Sequence, residues 1–344
     1  MKNLFRAITL VAACASLPLA HAQPPAPDAK HPPLIHLNVA AAGWGGSMLP
    51  GVENKHYVFP NPTYLDKWEQ GGVRVIRFSI LWERLQPTLL GDFDSTYAER
   101  IDTFLEQAAE RKMGVIIDIH NYGRYYGKII GTDEVPTSAY KDLMTRVSKR
   151  WGDNPGTYGY DLMNEPYGDA DKHWGSNAQA GIDGVRAHDK HRPIYVEGRA
   201  FSNTAMFPTI NQDLLALQDP ADNLIYSAHL YLDKGSSGRY DQPITGTFDP
   251  MLGVNRVKPF VEWLAHNKKR GQIGEFGVPD NDPRWLDAMD NLLSYLHDQC
   301  VPVAYWAAGP WWDKDPLAIE PINGEPRPQW AVLSKWIKAP NDCN

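Results

Sequence analysis

Two short stretches of this chain each carry a glutamate where chemistry could be done. Residues 157–166 read T-Y-G-Y-D-L-M-N-E-P. The run begins like a buried strand and stops on Asn164-Glu165-Pro166, where proline removes a backbone donor and ends a ladder. Residues 271–277 read G-Q-I-G-E-F-G, a second strand-like stretch in which Glu275 stands between glycines that admit a close neighbour. One carboxylate at a strand end proves little, since strand ends often carry polar residues. Two on separate strands suit cleavage of a glycosidic bond, one as proton donor and the other as nucleophile.

Such a pair works only if a rigid frame holds both groups on one rim. From residue 34 onward, short apolar stretches alternate with helical ones, the pattern of repeated βα units and a parallel sheet. Strands are expected at 34–39, 73–79, 114–120, 157–163, 194–197, 224–229, 272–275 and 303–306. Helices are expected near 64–70, 96–112, 138–151, 177–188, 213–217, 257–267, 284–298 and 329–338. The fold class is therefore α/β, a single (β/α)8 TIM barrel over residues 34–344. An open doubly wound sheet is the alternative, but no glycine-rich dinucleotide turn follows the first strand. Helix starts agree with this pass. After Asp94-Ser95, Thr96 with Glu99 three residues on reads as a capping box, and Thr137-Ser138 reads as the cap of the helix carrying Tyr140, Leu143 and Val147.

In such a barrel the chemistry sits at the carboxyl ends of the strands. Strand two delivers Arg77 and Ser79 there, and strand three delivers His120 and Asn121, followed by Tyr122, Arg124, Tyr125 and Tyr126. Strand four gives Asn164 and Glu165, strand six His229 and Tyr231, strand seven Glu275, and strand eight Trp306. Each has an ordinary explanation taken singly; a lone histidine is more often a satisfied hydrogen-bonding residue than a catalyst. Their convergence on one rim implies a site.

Together these residues resemble glycoside hydrolase family 5, the family of many cellulases, over about 34–337. The similarity rests on Asn164-Glu165-Pro166, Gly274-Glu275-Phe276-Gly277, Arg77, His120-Asn121, His229-x-Tyr231 and Trp306. D-I-H-N-Y at 118–122, Ile129-Ile130-Gly131 and W-E-R-L-Q-P at 82–87 resemble its endoglucanase branch. The resemblance implies Glu165 as the general acid/base and Glu275 as the nucleophile, with Asn164 on the sugar 2-hydroxyl. It places Arg77 and Tyr231 against Glu275, where a cation favours the ionised carboxylate. It puts His120 and His229 on sugar hydroxyls or beside Glu165, Asn121 in a supporting position, and Trp306 under the sugar at the cleavage point. Trp44, Trp174, Trp311 and Trp312 are candidates for neighbouring sugar subsites; Trp82 is another, and equally a core residue. The implied function is a secreted, retaining endo-β-1,4-glucanase acting on β-glucan, with carboxyl groups about 5–5.5 Å apart. The same machinery on mannan, xyloglucan or mixed-linkage glucan is the near alternative, and an inactive polysaccharide-binding barrel the distant one.

The rest of the chain sets limits. Twelve tryptophans and sixteen tyrosines supply flat rings for sugar faces, although large rings also fill cores. A net charge of −7 without a basic tract argues against nucleic acid and anionic membrane partners. No HExxH-type motif is present, and His188 with His191 lies in a charged surface stretch, so no metal and no cofactor are expected. Lys2 and Arg6, the apolar run 7–20 and Ala20-His21-Ala22 read as a cleavable signal peptide over 1–22, which implies a secreted or periplasmic protein without a membrane span. Val11-Ala12-Ala13-Cys14 offers a rival, a lipoprotein box that would leave Cys14 lipidated. Residues 23–33 read as a proline-rich linker. Cys300 and Cys343 would both lie at the amino-terminal face of a barrel, either bridged or as two free thiols. The expected working form is a monomer.

Overall fold

The structure, a computed structural model, describes residues 32–312 and 314–343. The expected leader 1–22, Cys14 and most of the 23–33 linker lie outside the described residues.

Eight parallel strands close into a barrel, each hydrogen-bonded to the next in sequence, with the eighth returning to the first. They are β1 (Ile35–Val39), β2 (Val75–Ile80), β3 (Gly114–Ile119), β4 (Thr157–Asp161), β5 (Ile194–Glu197), β6 (Leu224–Tyr231), β7 (Arg270–Gly277) and β8 (Val303–Ala308). All eight expected strands are present. β6 and β7 run further than expected, and β4 stops at Asp161, so Leu162 to Pro166 belong to the loop that leaves the rim.

Helices cover the outside: α1 (Asp66–Gln70), α2 (Trp82–Leu85), α3 (Ser95–Glu110), α4 (Thr137–Trp151), α5 (Trp174–Arg186), α6 (Phe207–Ile210), α7 (Leu252–Asn267), α8 (Pro283–Asp298) and α9 (Pro328–Ile337). Phe78 of β2 stacks on Phe104 of α3 with centroids 4.1 Å apart, typical of the apolar layer between barrel and helices. Two caps and one helix type differ from expectation. The Asp94 carboxylate accepts the N–H of Tyr97, so Asp94 caps α3 and Thr96 lies inside it. A carboxylate one turn ahead reaches the third amide directly, which leaves the Thr96–Glu99 box without a role at the cap. α4 starts after Pro136 with no side-chain cap, because the Thr137 hydroxyl donates instead to Asn177 of α5. The 213–217 segment is a 3-10 turn (Gln212–Ala216) rather than an α-helix.

Inside the barrel the upper layer is polar. Asn38, Arg77, Asp118, Asp161, Glu197, Ser227 and Gln272, each on a barrel strand, are all buried. Buried charge needs partners to persist. That layer is the floor of the site. At the opposite face a disulfide joins Cys300, just before β8, to Cys343 after α9.

Candidate active site

The position of Glu275 begins with a bulge. β6 and β7 pair Ala228 with Ile273 and then His229 with Glu275, so Gly274 is the extra residue. A Cβ there would fall 2.3 Å from the Ser227 hydroxyl oxygen, which only glycine avoids. The inserted residue brings Glu275 level with His229 across the sheet. Glu165 reaches the same spot from the loop after β4. Its backbone is left-handed (φ 44°), a conformation costing about 1–3 kcal/mol for a non-glycine residue. Two bonds hold it there: the Asn164 N–H donates to the Ile119 carbonyl at 2.9 Å, and the Glu165 N–H donates to Glu197 Oε2 at 2.7 Å.

Arg77 organises what lies beneath. It is fully buried and all five of its N–H groups are used, the full capacity of a guanidinium. Nε donates to Asp161 (2.8 Å), one terminal nitrogen to Asn38 and Glu275 (both 3.0 Å), and the other to Asn164 and Glu197 (both 2.9 Å). Asp118 stands 3.2 Å away as a fourth carboxylate. On its other side Glu275 accepts from the Tyr231 hydroxyl at 2.8 Å. Nucleophile candidate, arginine and tyrosine therefore form one rigid unit.

His229 joins the two glutamates. Its Nδ1 is 2.7 Å from Glu165 Oε1 and 3.5 Å from Glu275 Oε2, and its Nε2 is 2.9 Å from Glu197 Oε1. Burial, helped by the neighbouring charge of Glu275, pushes the Glu165 carboxyl above the usual range even though His229 pulls it down. Burial alone would discharge His229, but the Glu197 and Glu275 carboxylates outweigh it and hold the imidazole well above its ordinary value. Glu197 is held low in turn, its burial outweighed by His229 and Arg77. The two carboxyls thus differ in their surroundings, which is what an acid and a nucleophile require.

A cleft of about 370 Å³ lies beside this group, lined among others by Trp44, Glu83, His120, Tyr122, Tyr167 and Trp306. The His120 ring lies 5.6 Å from the Trp306 ring and nearly parallel to it, and its Nδ1 contacts Asp118 at 2.6 Å. Asn121 lines the cleft too, but its side chain is engaged by the protein: it donates to Glu83 at 2.6 Å and accepts the Trp82 N–H at 2.8 Å. It braces the rim instead of offering a free amide to substrate. The Asn164 Nδ2 is buried and has no hydrogen-bond partner among the described residues.

The tryptophans divide. Trp44, Trp306, Trp311 and Trp312 form an edge-to-face cluster, with Trp311 43% exposed and Trp312 buried. Trp174 departs from expectation. It is 1% exposed within α5 and its indole N–H donates to the Glu197 carbonyl, so it is a core residue that steadies the end of β5, not a sugar platform. Trp82 is likewise fully buried. Glu197, Asp118 and Asp161 were absent from the expected set. The signal for Glu197 was present, a carboxylate closing the fifth strand, but nothing in its neighbours in sequence marks it.

Glu165, His229 and Glu275 each offer one ligand atom, all within 4.8 Å of one another. The 2.7 Å contact between Glu165 and His229 is shorter than the roughly 3.3 Å between two tetrahedral ligands of a common ion about 2.0 Å from each. As arranged, the groups bond to each other.

Comparison with known proteins places the chain in a family. The family model described as cellulase (glycosyl hydrolase family 5) matches residues 39–312. Endo-beta-1,4-glucanase B of Aspergillus niger is 32% identical, over 81% of this chain and 82% of its own. An endoglucanase of Pseudomonas stutzeri, solved with cellobiose, is 40% identical with a TM-score of 0.89, covering 94% of this chain and 97% of that one. An endo-beta-1,4-glucanase of Xanthomonas axonopodis pv. citri is 32% identical with a TM-score of 0.82, covering 89% and 98%. A barrel that sets two glutamates, an arginine and a tyrosine at its carboxyl rim, matched over most of its length, belongs to the cellulase family, glycosyl hydrolase family 5.

Proposed function

We infer that this protein is an endo-β-1,4-glucanase that cleaves internal bonds of β-glucan with retention of configuration. The observation that carries the reading is the pair itself: one oxygen of Glu165 and one of Glu275 lie within 4.8 Å. That closeness favours a retaining pair, at about 5–5.5 Å between carboxyls, over an inverting pair at about 6.5–9.5 Å. Glu275, held by Arg77 and Tyr231, attacks the anomeric carbon while Glu165 protonates the departing oxygen. Glu165 then takes a proton from water, and the resulting hydroxide displaces Glu275 from the sugar. The unpartnered amide of Asn164 donates to the 2-hydroxyl, a bond that strengthens in the transition state. The glucan preference rests on relatives named as glucanases, one of them solved with cellobiose.

The test is reducing-end release from carboxymethylcellulose, mannan and xyloglucan, with Glu275→Ala as control. Activity chiefly on carboxymethylcellulose, lost in the control, is expected. Activity on mannan alone would keep the mechanism and move the substrate, and none from a folded protein would leave only a polysaccharide-binding barrel. Export is part of the proposal. The leader-like residues 1–22 and a disulfide suited to an oxidising compartment support it. The mature protein should begin at Gln23 by N-terminal sequencing; a lipidated Cys14 would overturn that.

A further inference from the structure

The mechanism leaves Glu197 unexplained. It is a fully buried carboxylate at the end of β5 and is not among the residues lining the cleft. Yet it touches three working parts: the Glu165 N–H at 2.7 Å, the Arg77 guanidinium at 2.9 Å and His229 Nε2 at 2.9 Å. The groups facing His229 are acidic on three strands: Glu165 after β4, Glu197 on β5 and Glu275 on β7. Tyr231 follows on its own strand, and Arg77 stands behind Glu197 and Glu275.

Both ring nitrogens of His229 therefore face carboxylate oxygens. A neutral imidazole has one N–H and one lone pair, so one nitrogen would set its lone pair against a carboxylate oxygen. The imidazolium has no such conflict. Nε2 approaches Glu197 Oε1 at 2.9 Å but is not aligned with it as a hydrogen-bond donor. A charge is what that geometry rewards. On the other side, Nδ1 lies 2.7 Å from Glu165 Oε1, while Oε2 has no bonding partner among the described residues.

We propose that Glu197 is the positioning residue of the acid/base: it holds His229 as an imidazolium whose Nδ1–H occupies Oε1 of Glu165, so that the transferable proton resides on Oε2. The same carboxylate fixes the left-handed backbone of Glu165 through its N–H. One buried anion thus sets which oxygen of the acid carries the proton and where that oxygen points. The proposal rests on Glu165 being the acid/base.

Nitrogen-15 NMR of the histidine rings, with His229 assigned through His229→Asn, tests it on the unmodified enzyme. Both His229 nitrogens should be protonated from about pH 5 to 8; a neutral His229 at pH 7 overturns the proposal. In Glu197→Gln one ring nitrogen should lose its proton within that range. On carboxymethylcellulose kcat/KM should fall on the order of 100-fold. Dinitrophenyl cellobioside, whose leaving group needs no proton, should be much less affected. An unchanged His229 spectrum, or equal losses on both substrates, sinks the idea. If Glu197→Gln does not fold, the spectrum of the unmodified enzyme decides. The underlying reading fails separately: Glu165→Ala would then lose as much activity on dinitrophenyl cellobioside as on carboxymethylcellulose, whatever His229 does.

Discussion

At the scale of single residues, the site works by unequal treatment of two identical side chains. Glu275 receives an arginine and a tyrosine, whereas Glu165 faces His229 and a neighbouring acid, with loss of solvent raising its pKa. The sign of the pH dependence follows. As the proposed acid, Glu165 must start protonated, so kcat/KM is retained below its raised pKa and lost as pH rises through it. The basic limb of the profile should lie above the ordinary glutamate value of about 4.3; a limb at that value would count against Glu165 as the acid. Tyr231→Phe removes one of the bonds to Glu275 while keeping the ring. It should lower kcat on the order of 10²-fold with little change in thermal midpoint. An equal loss of fold, seen by circular dichroism, would make Tyr231 a core residue first.

At the scale of elements, the two kinds of tryptophan separate. Trp174 lies inside α5 and ties that helix to the end of β5 through its indole N–H. Trp174→Ala should cost about 3–5 kcal/mol in denaturant unfolding, as expected for a large buried ring. Trp311 sits on the loop after β8, which Glu320 anchors by accepting the Gly309 N–H and the Tyr64 hydroxyl. Trp311→Ala should leave the unfolding midpoint within about 0.5 kcal/mol and raise KM for long cello-oligosaccharides. A stability loss like that of Trp174 would show that Trp311 belongs to the packing. Sequence spacing made both residues look alike; burial distinguishes them.

At the scale of the molecule, the barrel separates chemistry from closure. The carboxyl rim carries the site, and the amino-terminal face carries the Cys300–Cys343 bridge, which spans 43 residues. A loop of that length constrains the unfolded chain by about 3–4 kcal/mol. Cys300→Ser should therefore lower unfolding free energy while kcat at 25 °C stays unchanged, measured with and without reductant. A matching loss of kcat would mean that the tail couples to the rim.

The alternation of apolar strands and amphipathic helices was legible in the sequence because period and length report burial locally. So were Glu165 and Glu275, since each stands near a strand end beside its own breaker or glycines. The polar floor was not. Arg77 meets Asp161, Glu197 and Glu275 from three other strands, and no local pattern announces which buried acids share one guanidinium. Nor could sequence show that Asn121 is engaged by Glu83, or that Gly274 is a bulge aligning Glu275 with His229. The chain alone determined which residues reach the rim. Closure of the barrel decided which carboxyl meets Arg77 and Tyr231 and which meets His229, because those partners lie far away in sequence.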